Sequence, residues 1–310
     1  MSVKGASYEA QRRRFVRMAM APSLLFLLVV AGLPTVFLLV TSLTPGALVN
    51  PGSLGDFSEP LRNYRLLGSD ERFVGSLGVQ ARLSVYTVVL QVLLGTGLAL
   101  LVHSGQERWK SLRHLFVIPM VLPPIVVAVI WKLIYTPDIS PIYQAARMLG
   151  VTLPALTTHV DFALWSIVIA DTWEWAPFTF LMVLAALQTL PAEYVEAARM
   201  DGAGELRIFC TIALRLLAPG LVTVILFTLV ATWNNYFLPL IMLNDPNLYP
   251  ITVGLSSWAD QAQNGGAGAS SDMFALVVTG SLISIIPLVL AFLLLQRYWQ
   301  SGLATGGVKQ

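Results

Sequence analysis

Long apolar runs separated by short polar segments dominate the chain. Six runs have roughly the 20 apolar residues that an α-helix needs to cross a hydrocarbon core about 30 Å thick. They are Ala19 to Leu43, Val79 to Val102, His114 to Tyr135, Phe162 to Leu187, Leu217 to Leu243 and Met273 to Gln296. The pattern predicts an all-α, polytopic membrane protein with six transmembrane helices.

Composition supports this prediction. Of the 310 residues, 56% are hydrophobic and only 12% are charged, which is too apolar for an ordinary soluble domain. No segment outside the six runs is long enough for a sizeable soluble domain. The first run is too long for the apolar part of a signal peptide, and no small-residue cleavage site follows it closely, so we expect a retained membrane anchor.

The distribution of Lys and Arg predicts the orientation. With the N-terminus inside, the inner segments carry thirteen of these residues, whereas the outer loops carry only Arg62, Arg65, Arg72 and Arg147. An excess of positive charge marks the cytoplasmic side. We therefore expect a cytoplasmic N-terminal segment (1–18), a transmembrane domain (19–296) and a cytoplasmic tail (297–310). Because these charges lie at membrane flanks rather than along one stripe, they do not indicate nucleic-acid binding.

One inner segment, 189–216, is a short polar insert between the fourth and fifth runs. Pro191 suits the first turn of a helix, Gly202 and Gly204 allow a sharp bend, and Leu206 to Leu217 predicts a second helix. The predicted element is a cytoplasmic helix-turn-helix whose small residues let another protein approach the backbone. Its central residues are Glu196, Ala197, Ala198, Asp201, Gly202 and Ala203. Periodicity alone favours a plainer interpretation, an interfacial amphipathic helix that only joins two spans.

The stretch from Glu196 through Gly202 to Ile212 and Leu214 resembles the Glu-Ala-Ala loop of the permease subunits of binding-protein-dependent ABC importers. That loop docks into a cleft on the ATPase subunit. Over nearly the whole chain the resemblance is to the maltose-type carbohydrate uptake family. Its further motifs here are Asp171-x-Trp173, Pro177-Phe178, Ala186-Leu187-Gln188 and Trp233-Asn234-Asn235-Tyr236. One position departs from the family pattern, because Arg215 stands where Pro usually follows Ile-x-Leu. This departure affects how the chain leaves the second helix more than it affects the docking loop.

The resemblance implies a permease that moves a sugar or related polyol by alternating access in the inner membrane of a bacterial cell. It implies a second, different permease subunit, two ATPase subunits and an external solute-binding protein as partners, with membrane lipid around them. ATP and Mg would bind the ATPase partners. The chain itself has no Gly-x-x-x-x-Gly-Lys-Ser/Thr loop, and we expect no catalytic residue, metal site or cofactor on it. The alternatives are a permease for peptides, phosphate or a glycerophosphate-like solute, or a membrane-embedded enzyme or channel.

The fourth run contains two acids near mid-membrane. Asp171 and Glu174 are one helical turn apart, and a carboxylate there costs about 2.5 kcal/mol or more. One interpretation is a polar wall of a substrate path, with Trp173 or Trp175 offering a flat face to a sugar ring. The other is structural, with one acid paired to a basic residue of a neighbouring helix, Lys132 or Arg82. The sequence leaves both interpretations open.

The fifth run carries a polar stripe. Thr228, Thr232 and Asn235 are spaced i, i+4 and i+7, with Asn234 and Tyr236 beside them. Neutral hydrogen-bonding groups suit a hydroxyl-rich solute better than an ion, so Thr232, Asn234, Asn235 and Tyr236 join Asp171 and Trp173 as candidate path residues. Packing between helices is the alternative, because Thr and Asn also join helices in lipid.

Three local features complete the predictions. Pro119, Pro123 and Pro124 should break the third span near its inner end, and Pro239 should loosen the fifth. Cys210 is the only cysteine, which we expect to be a small buried hydrophobe.

Overall fold

Fourteen α-helices and no strand make up the part of the chain that the computed structural model describes, residues 3–45, 55–103, 115–190, 192–264 and 271–306. In chain order the helices are α1 (Val3–Leu27), α2 (Leu33–Ser42), α3 (Arg62–Ser69), α4 (Glu71–His103), α5 (Leu115–Val121), α6 (Pro124–Ile134), α7 (Pro141–Met148), α8 (Val160–Gln188), α9 (Ala192–Met200), α10 (Glu205–Ile208), α11 (Leu214–Trp233), α12 (Phe237–Met242), α13 (Ile251–Asn264) and α14 (Ser271–Gly306). One π-helical turn, Leu28–Gly32, joins α1 to α2, and another, Phe209–Ala213, joins α10 to α11. A 3₁₀ turn lies at Pro246–Leu248.

The six predicted spans are confirmed. Five helical stretches in the described residues are long and apolar enough to cross a bilayer, and a bent pair of helices supplies the sixth. The five are Glu9–Ser42, Glu71–His103, Val160–Gln188, Phe209–Met242 and Met273–Tyr298. Most helices extend beyond the predicted apolar runs, because a helix continues into the interfacial region where polar side chains are tolerated.

The chain divides into two compact units. The first comprises residues 1–69 and 258–283, and the second comprises residues 70–257 and 284–310. In the first unit, Asn63 of α3 is buried and its Nδ2 donates to the carbonyl oxygens of Ser42 (3.1 Å) and Thr44 (2.9 Å). The Ser42 hydroxyl also bonds that of Tyr64 at 2.9 Å. The two Asn63 bonds pair carbonyl groups at and just beyond the end of α2 that have no partner within the helix.

The third span is broken, as its prolines predict. Helices α5 and α6 meet at an angle of 110°. Pro123 has extended backbone dihedrals (φ −60°, ψ 138°), and Pro124 opens α6. A proline disfavours helical geometry in the residue before it and suits the first helical position itself, so the Pro123-Pro124 pair ends one helix and starts the next.

The fifth span is broken within the turn that precedes Pro239. Helix α11 ends at Trp233 and α12 begins at Phe237, so Asn234, Asn235 and Tyr236 form a non-helical junction, called here the α11–α12 break. Pro239 lies in the first turn of α12, and it has no N–H to bond the Asn235 carbonyl four residues earlier.

The second unit has its core between α4 and α8. Toward the start of α8, buried side chains including Leu83, Val127 and Ile167 pack with Leu238 and Met242 of α12. Toward its end, a second apolar cluster brings together side chains of α4, α8 and α11 with Ala213. Its buried members are Ala99, Val102, Phe180, Val183, Leu184, Leu187, Ala213 and Leu217. These clusters hold α8 in place, and the polar residues of α8 lie between them in sequence.

Candidate functional site

The polar insert is a helix-turn-helix made of α9, a turn and α10. Pro191 lies outside the described residues, and α9 begins at Ala192. Gly202 has φ +78°, in the left-handed region that glycine adopts without strain. The Ala203 N–H donates to the Ala198 carbonyl, and the Gly202 N–H donates to that of Arg199, both at 3.0 Å. This pair of bonds is a Schellman motif, which stops α9 and turns the chain toward α10.

The predicted contact residues of the helix-turn-helix lie at its surface. Glu196, Ala197, Asp201 and Gly202 are exposed, whereas Ala198 and Ala203 are half-buried. A Cβ added at Gly202 would meet nothing within 4 Å. An apolar side chain that is not among the predicted contact residues is exposed as well: Met200, at the end of α9, is 89% exposed. This segment therefore offers an open backbone with the Glu196 and Asp201 carboxylates and the apolar Met200 side chain beside it.

Cys210 lies in the π-helical turn that follows α10, and its side chain is exposed. The expectation of a buried cysteine is wrong. Ile208 at the end of α10 and Ala213 at the end of the turn are buried instead, so these apolar side chains point inward and the thiol remains outside.

Asp171 forms a buried polar cluster with residues of three other segments. It is 2% exposed, and its carboxylate accepts hydrogen bonds from Gln91 Nε2 (3.0 Å), Thr232 Oγ1 (3.4 Å) and Asn235 Nδ2 (2.5 Å). Gln91 belongs to α4, Thr232 to α11 and Asn235 to the α11–α12 break. The bonds are charge-assisted when the carboxylate is ionised, and such bonds are the stronger class. A single carboxylate thus joins α8 to α4, α11 and the break.

The alternative of an ion pair with Lys132 or Arg82 is not realised in the described part of the chain. Lys132 is exposed, and the Arg82 guanidinium donates to the Gly78 carbonyl on its own helix at 3.3 Å. Asp171 is compensated by neutral amide and hydroxyl donors instead. Glu174 is also buried, and within the described residues its Oε1 has no hydrogen-bond partner.

Helix α4 has a buried polar face that is not among the predicted site residues. Gln80, Ser84, Thr87 and Gln91 follow the i, i+4, i+7, i+11 spacing of one helix face, and all four are buried. Gln80 Nε2 donates to Ser84 Oγ (3.2 Å) and to the Thr232 carbonyl (3.4 Å). The spacing within an otherwise apolar span could have identified this face from the sequence.

The α11–α12 break is held by neighbouring helices. The Asn235 carbonyl accepts from Thr252 Oγ1 at 2.9 Å, and the Tyr236 hydroxyl bonds Ser256 Oγ at 3.0 Å, both from α13. Asn234 is exposed, and its Nδ2 donates to the Val230 carbonyl at 2.8 Å. Asn235 and Tyr236 are half-buried. Irregular backbone at membrane depth persists only against protein or water, and these bonds supply the protein.

The candidate path residues do not all come together. Asp171, Thr232 and Asn235 meet directly, with Asn234 and Tyr236 adjacent in the break. Trp173 is two residues from Asp171, which places it about 200° around α8. It is 40% exposed and packs edge-on against Trp131 with ring centroids 5.8 Å apart. Asp171 and Trp173 therefore do not line one surface.

In the described residues no group of three or more His, Cys, Asp or Glu side chains is arranged to hold a metal.

These features define a multi-pass α-helical membrane protein whose fourth and fifth spans are joined by an exposed helix-turn-helix. The same fold occurs in the crystal structure of a bacterial ABC transporter involved in the import of the acidic polysaccharide alginate. The similarity has a TM-score of 0.71 and covers 94% of this chain and 99% of that chain, at 15% sequence identity.

The family model described as the binding-protein-dependent transport system inner membrane component matches residues 91–304. The chain belongs to this family. A relative, the probable ABC transporter permease protein y4oQ of Sinorhizobium fredii, is 32% identical over 240 residues, covering 76% of this chain and 77% of that protein. The melibiose/raffinose/stachyose import permease protein MelC of Bacillus subtilis is 30% identical over 201 residues, covering 64% of this chain and 63% of that protein.

Proposed function

We propose that the chain is the permease subunit of an ABC importer that carries a sugar or related polyol across the inner membrane of a bacterial cell. The observation that carries the transport role is the family match, which extends from the middle of α4 to the end of α14. The substrate class is supported by the relative MelC, which is named as a melibiose, raffinose and stachyose import permease. It is also supported by the α11–α12 break, where Asn234, Asn235 and Tyr236 offer neutral hydrogen-bonding groups.

The motor lies on other polypeptides in this proposal. The sequence contains no phosphate-binding Gly-x-x-x-x-Gly-Lys-Ser/Thr loop. Two ATPase subunits would bind ATP and Mg, and the helix-turn-helix would seat in one of them. Its exposed Glu196 supplies charge, and the unobstructed backbone at Gly202 allows close approach. This arrangement requires the helix-turn-helix and both termini to be cytoplasmic, which agrees with the distribution of Lys and Arg.

The assembly contains a second, different permease subunit and an external solute-binding protein that delivers the sugar. ATP binding would close the ATPase pair and move the helix-turn-helix, and the attached spans would open the path outward. Hydrolysis would return the assembly to the inward-facing form. In this cycle the chain has no catalytic group, and its task is to convert motion at α9 and α10 into motion of the transmembrane helices.

Purification of the chain together with the subunits of its transporter tests the proposal. We expect an ATPase and a second permease to copurify, and we expect the reconstituted complex to take up a neutral sugar from a panel of melibiose, raffinose, maltose and trehalose when its binding protein is present. A chain that purifies without an ATPase would contradict the transport role. A complex that takes up a peptide or a phosphate ester, and none of these sugars, would contradict the substrate class alone.

A further inference from the structure

We propose that Asp171 is a positioning residue that determines which atom of Asn235 faces a transported solute. The inference rests on the proposed function, because it names the group in the α11–α12 break that would accept a hydrogen bond from a sugar hydroxyl. Asp171 itself is too deeply buried to touch a solute. It acts through the amide that it binds.

The orientation follows from the chemistry of the two groups. An ionised carboxylate only accepts hydrogen bonds, whereas a primary amide has a donor end and an acceptor end. Asn235 turns its donor end, Nδ2, to the Asp171 Oδ1 at 2.5 Å. Since Oδ1 and Nδ2 lie on opposite sides of the planar amide, the Asn235 Oδ1 faces away from Asp171. The second carboxylate oxygen accepts from Gln91 and Thr232. Because the ionised carboxylate has no hydrogen to donate, it cannot bond the amide oxygen of a reversed Asn235 side chain.

The backbone around Asn235 is fixed independently. Thr252 Oγ1 binds the Asn235 carbonyl at 2.9 Å, and Gln80 Nε2 binds the carbonyl of Thr232, three residues earlier, at 3.4 Å. With the backbone held, the remaining freedom is rotation of the Asn235 side chain. Asp171 removes that freedom. Asn235 is half-buried rather than buried, so its outward Oδ1 is reachable from the break.

The arrangement selects a class of ligand group. An outward amide oxygen accepts a hydrogen bond, so it suits the O–H of a neutral solute. Asp171 lies directly behind it, and its negative charge opposes an anionic group at the same place. The exposed Asn234 and the half-buried Tyr236 add further neutral polar groups next to this acceptor.

The test uses two variants and a control. Asp171→Leu removes the carboxylate, and the double variant Asp171→Asn/Asn235→Asp exchanges the two groups, so that an amide at 171 donates to a carboxylate at 235. The exchange restores the contact but presents a carboxylate oxygen to the path. Thr223→Val is the matched control on α11, because among the described residues the Thr223 hydroxyl bonds the Pro219 carbonyl of its own helix (2.9 Å) and no other helix.

The first measurement needs no solute. Hydrogen–deuterium exchange of the Asn235 side-chain amide is followed by NMR in the full complex in nanodiscs, because this amide, unlike the backbone, is held by Asp171. We expect Asp171→Leu to raise its exchange rate about tenfold, which corresponds to the loss of one hydrogen bond, and we expect the control to remain near the wild-type rate. Unchanged exchange in Asp171→Leu overturns the inference, whatever the complex transports.

The second measurement is uptake of the sugar that the wild-type complex transports best among melibiose, raffinose, maltose and trehalose. The exchanged pair should keep a rigid break yet show a KM about tenfold higher, because its outward group is a carboxylate oxygen in place of the amide oxygen. Wild-type KM in the exchanged pair would mean that the contact is only structural, and would overturn the inference. Absence of all sugar uptake in the wild type would instead overturn the proposed substrate class, and the exchange measurement would still decide the role of Asp171 in holding Asn235.

Discussion

A methyl group added to Gly95 would lie 2.6 Å from the Cβ of Thr179 and 2.8 Å from the backbone nitrogen of Phe180. Helices α4 and α8 therefore approach each other almost backbone to backbone at this point. Small residues at such crossings allow close packing in lipid, where no hydrophobic force drives helices together. This contact lies one turn of α4 beyond Gln91, so it also sets how closely Gln91 approaches Asp171.

We expect Gly95→Ala to destabilise the second unit by about 1–3 kcal/mol, the usual cost of overpacking. The backbone of Phe180 cannot yield as a flexible side chain would. Gly97→Ala is the control, because a Cβ at Gly97 meets nothing within 4 Å and alanine favours the helix. Thermal unfolding of the two variants in the same detergent should separate them clearly, and equal unfolding temperatures would contradict the close approach.

At the helix-turn-helix, Gly202→Ala should impair uptake more than Gly204→Ala does. Both glycines have open space around them, but only Gly202 has a positive φ, which costs an L-residue on the order of 1–2 kcal/mol. The strain would loosen the turn between α9 and α10. Sugar uptake and sugar-stimulated ATPase activity by the reconstituted complex provide the measurement. Full activity of both variants would argue that the geometry of this turn is unimportant for coupling.

Glu196→Ala should leave membrane insertion intact and abolish both uptake and ligand-stimulated ATPase activity. Glu196 is exposed on α9, so its removal costs the isolated chain little, and the loss would come from contact with the ATPase. Glu193→Ala is a suitable control, since Glu193 is exposed in the first turn of the same helix. Normal uptake by the Glu196 variant would count against the proposed docking role.

A tyrosine holds the segment between α7 and α8. The Tyr143 hydroxyl donates to the Pro154 carbonyl at 2.7 Å and accepts from the Leu156 N–H at 2.8 Å. Tyr143→Phe leaves two backbone groups without this partner, and we expect a loss of about 1–3 kcal/mol in unfolding free energy. Tyr86→Phe should be nearly neutral, because Tyr86 stacks on Trp165 at 5.0 Å through its ring. Chemical denaturation of both variants checks the difference.

The single cysteine allows a test of orientation without mutation. Because Cys210 is exposed next to α10, a membrane-impermeant maleimide should label it in inside-out vesicles and fail to label it in intact cells. Mass spectrometry of the purified chain reads out the labelling. Labelling in intact cells would place the helix-turn-helix outside, and would remove the basis for contact with a cytoplasmic ATPase.

The spans and the broken third helix could be predicted from the sequence because both depend on local properties. The length of an apolar run decides whether a helix can cross the bilayer, and Pro123-Pro124 interrupts a helix in any surroundings. The turn at Gly202 could be predicted for the same reason, because a glycine just after a helix readily adopts the left-handed conformation that ends α9.

The buried cluster around Asp171 could be predicted only in part. Asp171 and Asn235 were each identifiable as polar residues in apolar runs, but their contact depends on how α8 packs against α11, which no local pattern gives. Gln91 is not among the predicted residues, although its spacing from Gln80 and Ser84 is visible in the sequence. Trp173 is close to Asp171 in sequence, but the helical rotation between them sends the two side chains to different sides of α8.

The broken third span has a consequence for the permeability of the membrane. Helix α6 has eleven residues and rises about 16 Å, roughly half of a 30 Å hydrocarbon layer, so it cannot cross that layer without α5, which precedes it at a bend of 110°. Because α5 does not continue along the axis of α6, the seal against protons and ions around α5 depends on the groups that pack beside it. Tightness against leakage would then be a property of the assembled transporter proposed above and not of this polypeptide alone.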